Sequence, residues 1–134
     1  MNDALYHDAL MALAKDRTHA AALPPGTGVT VDNPLCGDRV TLDGKIENGI
    51  ARDIRHKVRG CALCQASAAA LARVLDGKPA AATLAEAQAA VESVLAGGCA
   101  PAPWDAFAPV ARHKSRHDCV KLAFSAVKTL FSGT

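Results

Sequence analysis

The sequence predicts an α+β fold in which a small three-stranded antiparallel sheet packs against several helices. Three observations carry this prediction. Residues 28–58 show the period-two pattern of strands, and hydrophobic residues after Gly60 recur every three or four positions. A third is that aromatic residues make up only 4% of the chain. The core must therefore be built from aliphatic residues and many alanines, which favours closely approaching helices.

The N-terminal half contains one predicted helix and the whole predicted sheet. We predict a helix over 3–15 and strands over 28–31, 39–46 and 50–58. The helix cannot continue through Leu23-Pro24-Pro25-Gly26, because proline breaks it. Asn48-Gly49 is a strong hairpin signal between the last two strands.

The C-terminal half is predicted to be helical with one irregular stretch. We predict helices over 62–75 and 84–95, the second capped by Thr83 or a neighbour. Residues 99–115 contain three prolines and are interpreted as irregular, with a turn of helix around 104–107. A last helix is predicted to begin near Ser115 or Asp118 and to continue to Phe131.

Length and composition exclude several classes of protein. With 134 residues, of which 50% are hydrophobic, we expect one compact domain over 1–134. No apolar run reaches the length of a membrane span and the N-terminus has no export signal, so we expect a cytoplasmic protein. Fifteen basic and 13 acidic residues give a net charge of only +2, which does not indicate nucleic-acid binding.

The five cysteines carry the functional signal. An odd number in a chain without an export signal favours metal binding or thiol chemistry over a disulfide framework. Cys36 lies in a loop with Asp38, and Gly37 between them allows both side chains to face one point. Cys61 and Cys119 each open a predicted helix, where the partial positive charge of the helix N-terminus favours the thiolate.

Each cysteine taken alone could be a small buried hydrophobic residue. Three at element boundaries, however, together with one carboxylate, could complete a tetrahedral zinc site or hold a small iron–sulfur cluster. Cys64 forms a C-x-x-C pair with Cys61 and is expected either to pack in the core or to serve the site, whereas Cys99 is expected to have no role in it. His56 is expected to be a hydrogen-bonded structural histidine.

Three ordered motifs resemble the U-type iron–sulfur scaffolds, namely the IscU, NifU N-terminal and SufU proteins. The first is Asn33-Pro34-Leu35-Cys36-Gly37-Asp38, the second is Gly60-Cys61 followed by Ala66-Ser67, and the third is Cys119 with Leu122. Tyr6 and Lys15-Asp16-Arg17 resemble the N-terminal helix of the family and the motif that follows it. The resemblance covers nearly the whole chain and implies the fold shared by SufE and NifU proteins.

The resemblance also implies a function and its residues. Cys36, Asp38, Cys61 and Cys119 would hold a transient [2Fe-2S] cluster or Zn²⁺, with Asp38 as an oxygen ligand that keeps the cluster labile. Sulfur would arrive as a persulfide from a cysteine desulfurase, with Cys119 as the first acceptor, and the cluster would pass to apo-proteins. The protein would be a scaffold rather than an enzyme, either a monomer or a weak homodimer.

Some positions depart from the family and leave an alternative open. Many family members have histidine immediately before the third cysteine, whereas this chain has Asp118 there and His117 one position earlier. Either side chain is a candidate further ligand. Arg116 resembles the SufU branch, which favours a zinc-dependent sulfur-transfer protein that carries persulfide on Cys119 without building a cluster. A hydrolase using Cys119 and His117 is disfavoured, because no glycine-rich oxyanion loop is evident.

Overall fold

The computed structural model describes residues 7–24, 26–34 and 37–132. Its helices and strands are, in chain order, α1 Asp8–Ala14, β1 Val29–Asp32, β2 Arg39–Glu47, β3 Ile50–Arg59, α2 Ala62–Leu75, α3 Ala80–Leu95 and α4 His117–Ser132. Two 3-10 segments, Trp104–Arg112 and Lys114–Arg116, connect α3 to α4. This arrangement confirms the predicted α+β class.

The sheet has the order β1-β2-β3, and both pairs of neighbours are antiparallel. Asn48 and Gly49 have φ angles of 55° and 79°, as a tight hairpin turn requires, so the predicted turn is confirmed. The pairing of β2 with β3 extends as far as Arg39 opposite Arg59. As a result, Asp38 and Gly60 lie side by side where the hairpin opens.

Helix α2 lies at the centre of the core and contacts α1, α3, α4 and β3. Its buried face is built largely from small side chains, namely Ala66, Ser67, Ala68, Ala69, Ala70 and Ala72. Small residues allow neighbouring backbones to approach closely, which is how a chain with so few aromatic residues fills its interior. Two of those aromatic residues, Trp104 and Phe107, are buried in the core and stack against each other.

Three boundaries differ from the prediction. Helix α3 begins at Ala80 rather than at Leu84, and its N-cap is Pro79 rather than Thr83. The predicted single turn around 104–107 is a nine-residue 3-10 segment that includes Pro109. Helix α4 begins at His117 rather than at Ser115 or Asp118, and Asp118 lies in its first turn.

Two further expectations concern the first helix and membranes. The start of the helix predicted over 3–15 falls partly on residues 3–6, outside the described ranges, and α1 as described begins at Asp8. No helix within the described ranges has the combination of length and hydrophobicity needed to cross a membrane.

Candidate metal and sulfur site

Three of the predicted site residues converge where the hairpin opens against α2 and α4. One donor atom each from Asp38, Cys61 and Cys119 lies within 4.8 Å of the other two. Across the described ranges, no other group of three or more histidine, cysteine, aspartate or glutamate side chains approaches this closely. The group combines two sulfur donors with one carboxylate oxygen.

The carboxylate is fixed by the loop that leads into β2. The backbone amide of Gly37 donates to the carbonyl of Asn33 at 2.8 Å, and the amide of Asn33 donates to the carbonyl of Asp38 at 2.9 Å. Gly37 has a φ of 77°, which favours glycine at this turn. Asp38 is buried, with 6% of the residue exposed.

Gly60 provides the space that the Asp38 side chain occupies. A Cβ atom at this position would lie 2.5 Å from Oδ1 and 2.6 Å from Cγ of Asp38. Any larger residue would therefore collide with the carboxylate. The sequence pattern places Gly60 at the boundary between the last strand and the next helix, and its contact with Asp38 becomes visible once β2 and β3 are paired.

The two cysteines are held by the N-terminal ends of two different helices. Cys61 is the N-cap of α2 and is half-buried, and its thiol donates to Oδ2 of Asp38 at 3.5 Å. Cys119 is the third residue of α4 and is 2% exposed. The Ser67 hydroxyl donates to the carbonyl of Val120 at 2.6 Å and so ties α2 to α4 beside the site.

Cys64 is a third described thiol group at this place. It lies one helical turn after Cys61, is fully buried, and interacts with the sulfur of Cys61. This interaction lowers the pKa of Cys61, and the backbone amide of Cys64 contributes to a smaller extent. The same interaction, together with burial, raises the pKa of Cys64. The Cys61 side chain does not form a capping hydrogen bond at the start of α2.

The other candidate ligands lie elsewhere. Nε2 of His117 is directed at the carbonyls of Val110 and Ala111, at 3.1 Å and 3.3 Å, so His117 braces the preceding 3-10 segment. Asp118 is exposed and lines a groove with the loop after β1. Cys99 is exposed after the end of α3, and its carbonyl accepts a hydrogen bond from the Ser93 hydroxyl. Cys36 lies outside the described residues, so its part in the site stays a prediction.

His56 differs from its expectation. It is 4% exposed in the core, as its place in the strand indicates, but neither ring nitrogen has a hydrogen-bond partner. Burial, and to a smaller extent the nearby positive charge of Arg17, lowers the pKa of His56 to about 4. The expectation of a hydrogen-bonded histidine is therefore wrong, and the ring is a neutral core residue.

Two curated proteins match part of the chain in sequence. The chain is 32% identical over 76 residues to the zinc-dependent sulfurtransferase SufU of Bacillus subtilis, which covers 57% of this chain and 52% of that protein. It is 29% identical over 75 residues to the iron–sulfur cluster assembly scaffold protein IscU of Thermotoga maritima, covering 55% of this chain and 53% of that protein. These matches span about half the length of the curated relatives.

A solved structure and a family model extend the likeness to nearly the whole chain. The N-terminal part of a nitrogen-fixing NifU-like protein from Brucella abortus superposes with a TM-score of 0.78 at 29% identity, covering 97% of this chain and 94% of that one. The model of the NifU-like N-terminal domain matches residues 5–129. With the cysteine and aspartate side chains converging at the positions that the motifs predicted, the chain belongs to the NifU-like N-terminal domain family.

Proposed function

We propose that this protein is a scaffold for iron–sulfur cluster assembly. In this proposal it accepts persulfide sulfur from a cysteine desulfurase, holds iron and a [2Fe-2S] cluster as cargo, and passes the cluster to apo-proteins. The observation that carries the proposal is the convergence of Asp38, Cys61 and Cys119, which come from three separate elements of a NifU-like domain.

The donor set fits a cation that prefers sulfur. Two cysteine sulfurs and a carboxylate oxygen are ligands that zinc and iron–sulfur clusters take in proteins. The negative charge of Asp38 opposes ionisation of Cys61, and a bound cation would remove that repulsion. When bound, the metal would hold the thiols in their deprotonated state and leave the weaker carboxylate as the ligand most readily exchanged.

Cys36 completes the proposed ligand set. Only one residue separates it from Asp38, so their Cα atoms can be no more than about 7 Å apart. The backbone bonds that join Asn33 to Gly37 and to Asp38 hold both ends of this segment beside the site. A third sulfur would give the four ligands that a closed tetrahedral site requires.

Cys119 is the proposed sulfur acceptor. It lies in the first turn of α4, where backbone amides favour a thiolate, the form that attacks a persulfide. Cys119 is 2% exposed, and the segment 112–116 just before α4 consists entirely of exposed residues. We propose that the desulfurase docks on this segment.

The same residues support a second candidate function, zinc-dependent sulfur transfer. The SufU relative carries this activity in its name, and the asymmetric set of sulfur and oxygen donors suits zinc as well as iron. In that case zinc would stay bound, and the protein would deliver persulfide without building a cluster.

Anaerobic reconstitution separates the two candidates. The zinc-loaded full chain is incubated with cysteine, a cysteine desulfurase and ferrous iron, and is followed by visible absorption, native mass and peptide mass mapping. Cluster absorption that is lost in Cys36→Ala and retained in the exposed control Cys99→Ala supports the scaffold. Retained zinc with sulfur mass added only at Cys119 supports the carrier, and a chain that gains neither sulfur nor cluster contradicts both.

A further inference from the structure

We propose that Cys61 and Cys64 form a dithiol pair that reduces sulfane sulfur to sulfide within the protein. Cys61 carries the persulfide, and Cys64 attacks it and releases the outer sulfur as hydrogen sulfide. The inference rests on the proposed function, since it requires sulfane sulfur to arrive at the site. It adds the source of the two electrons that a cluster-building protein needs to turn persulfide into sulfide.

The position of the two thiols at the start of α2 supports this role. Cys61 is the N-cap and Cys64 the third residue of the helix, so the two side chains are neighbours on one helix face. Both are thiols, and the thiol of Cys64 interacts with the sulfur of Cys61. A C-x-x-C pair at a helix N-terminus is an arrangement in which dithiol and disulfide interconvert.

The two thiols also differ in burial in the way a relay requires. Cys61 is half-buried and can be reached, whereas Cys64 is 0% exposed. Of the two thiols, Cys61 is therefore the one that incoming sulfur reaches first, either directly or by transfer from Cys119. Cys119 is the other described thiol of the donor group, and its sulfur lies within 4.8 Å of the sulfur of Cys61. A persulfide on Cys119 can therefore pass its outer sulfur to Cys61.

The reaction balances without an external oxidant or reductant. The sulfur of Cys64 forms a bond to Sγ of Cys61, and the bond between Sγ and the outer sulfur breaks. The outer sulfur leaves with the electron pair of that bond and with the proton of Cys64, as hydrogen sulfide. Two thiol sulfurs are thereby oxidised to a disulfide while one sulfane sulfur is reduced to sulfide. A cellular dithiol of the thioredoxin class would then return the pair to thiols, and only in that reduced state can Cys61 serve as a ligand of the cluster.

Packing alone would give Cys64 a different environment. A buried structural cysteine is expected to contact apolar side chains and to be chemically inert. Cys64 does contact the core, but its thiol also faces the sulfur of Cys61 and lies near the carboxylate of Asp38. It therefore sits at the boundary between the core and the site.

The test uses the reduced full chain and a cysteine desulfurase that has been loaded with persulfide and desalted to remove free cysteine. Cys61 and Cys64 share the tryptic peptide 60–73, so a disulfide between them makes that peptide lighter by two hydrogen atoms. We expect this disulfide and about one sulfide released for each sulfur accepted. Cys99→Ala, which changes an exposed thiol, should behave like the wild type.

In Cys64→Ala we expect the persulfide to persist, leaving peptide 60–73 or the peptide of Cys119 heavier by one sulfur atom, with sulfide release reduced at least about tenfold. Cys64→Ser, whose folding is checked by circular dichroism, tests whether the loss of sulfide release comes from the missing thiol rather than from a cavity in the core. Sulfur accepted by the wild type without a disulfide in peptide 60–73 would overturn this inference and leave the proposed function standing. Failure of both wild type and Cys64→Ala to accept any sulfur would overturn both.

Discussion

Replacing Gly60 with alanine should expel the Asp38 carboxylate from the group that it forms with Cys61 and Cys119. The added Cβ would lie 2.5 Å from Oδ1, whereas ordinary contact begins at 3.4 Å, so the carboxylate must retreat by about 0.9 Å. Cγ and Cβ of Asp38 are also too close, at 2.6 Å and 3.0 Å, so rotating the carboxylate alone cannot relieve the clash. The whole side chain has to move.

The expected consequence is weaker metal binding with little loss of fold. Misplacing a ligand or its support costs about 10–100-fold in affinity, equivalent to about 1.4–2.8 kcal/mol. Competition between the protein and a chromophoric zinc chelator measures this change directly. Gly60→Ala should bind zinc about 10–100-fold more weakly than the wild type, while thermal unfolding of the metal-free chain changes little.

A matched control and a double mutant make this test specific. Gly98→Ala introduces a comparable clash, with its Cβ 2.7 Å from Oγ of Ser93, at a place remote from the site, and should leave zinc affinity unchanged. In the Asp38→Ala background, Gly60→Ala should have no further effect, because both changes remove the same ligand. Wild-type affinity in Gly60→Ala, or full additivity in the double mutant, would refute the role assigned to Gly60.

Two further predictions concern stability. The pKa of His56 is about 4 in the fold and about 6.5 in the unfolded chain, so the unfolded chain takes up the proton first as pH falls. The free energy of unfolding should therefore decrease by up to about 3 kcal/mol between pH 6.5 and 4. Urea titrations should show that this free energy depends less steeply on pH in His56→Leu than in the wild type. The same pH dependence in both proteins would contradict the assignment. Ser67→Ala removes the hydrogen bond to the Val120 carbonyl and should lower the free energy of unfolding by about 1 kcal/mol. Thermal unfolding measures this change, with the exposed Ser125→Ala as the control. Equal stability of the two variants would show that this bond does not help to hold α2 against α4.

Strong local signals made the sheet and α2 predictable. The Asn48-Gly49 turn fixed both strands of the hairpin to within one residue, and Gly60 followed by an apolar period near 3.6 fixed α2 at 62–75. Helix α3 was predicted to begin late because its first residues are alanines, which show no polar and apolar alternation. Thr83 looked like a cap, whereas Pro79 at the N-cap begins the helix four residues earlier.

The site shows a sharper limit. Spacing alone could place Cys61 and Cys119 at helix starts, but those residues are 58 positions apart and no local rule brings them together. Their association came from the resemblance to U-type scaffolds, and the convergence with Asp38 needed the packing of α4 against β2 and α2. The collision between Asp38 and a side chain introduced at position 60 depends on the register of β2 and β3, and so it could not be predicted from either residue alone.

The dispersion of the three described donors along the chain has a consequence for synthesis. A growing chain that has been made only as far as α3 already contains Asp38 and Cys61, but Cys119 and the helix that carries it have yet to appear. The assembled group of donors therefore forms only after nearly all of the fold has been translated. A nascent chain, or one truncated before α4, would therefore contain two of the three described donors and could not form the group until its last helix had been made.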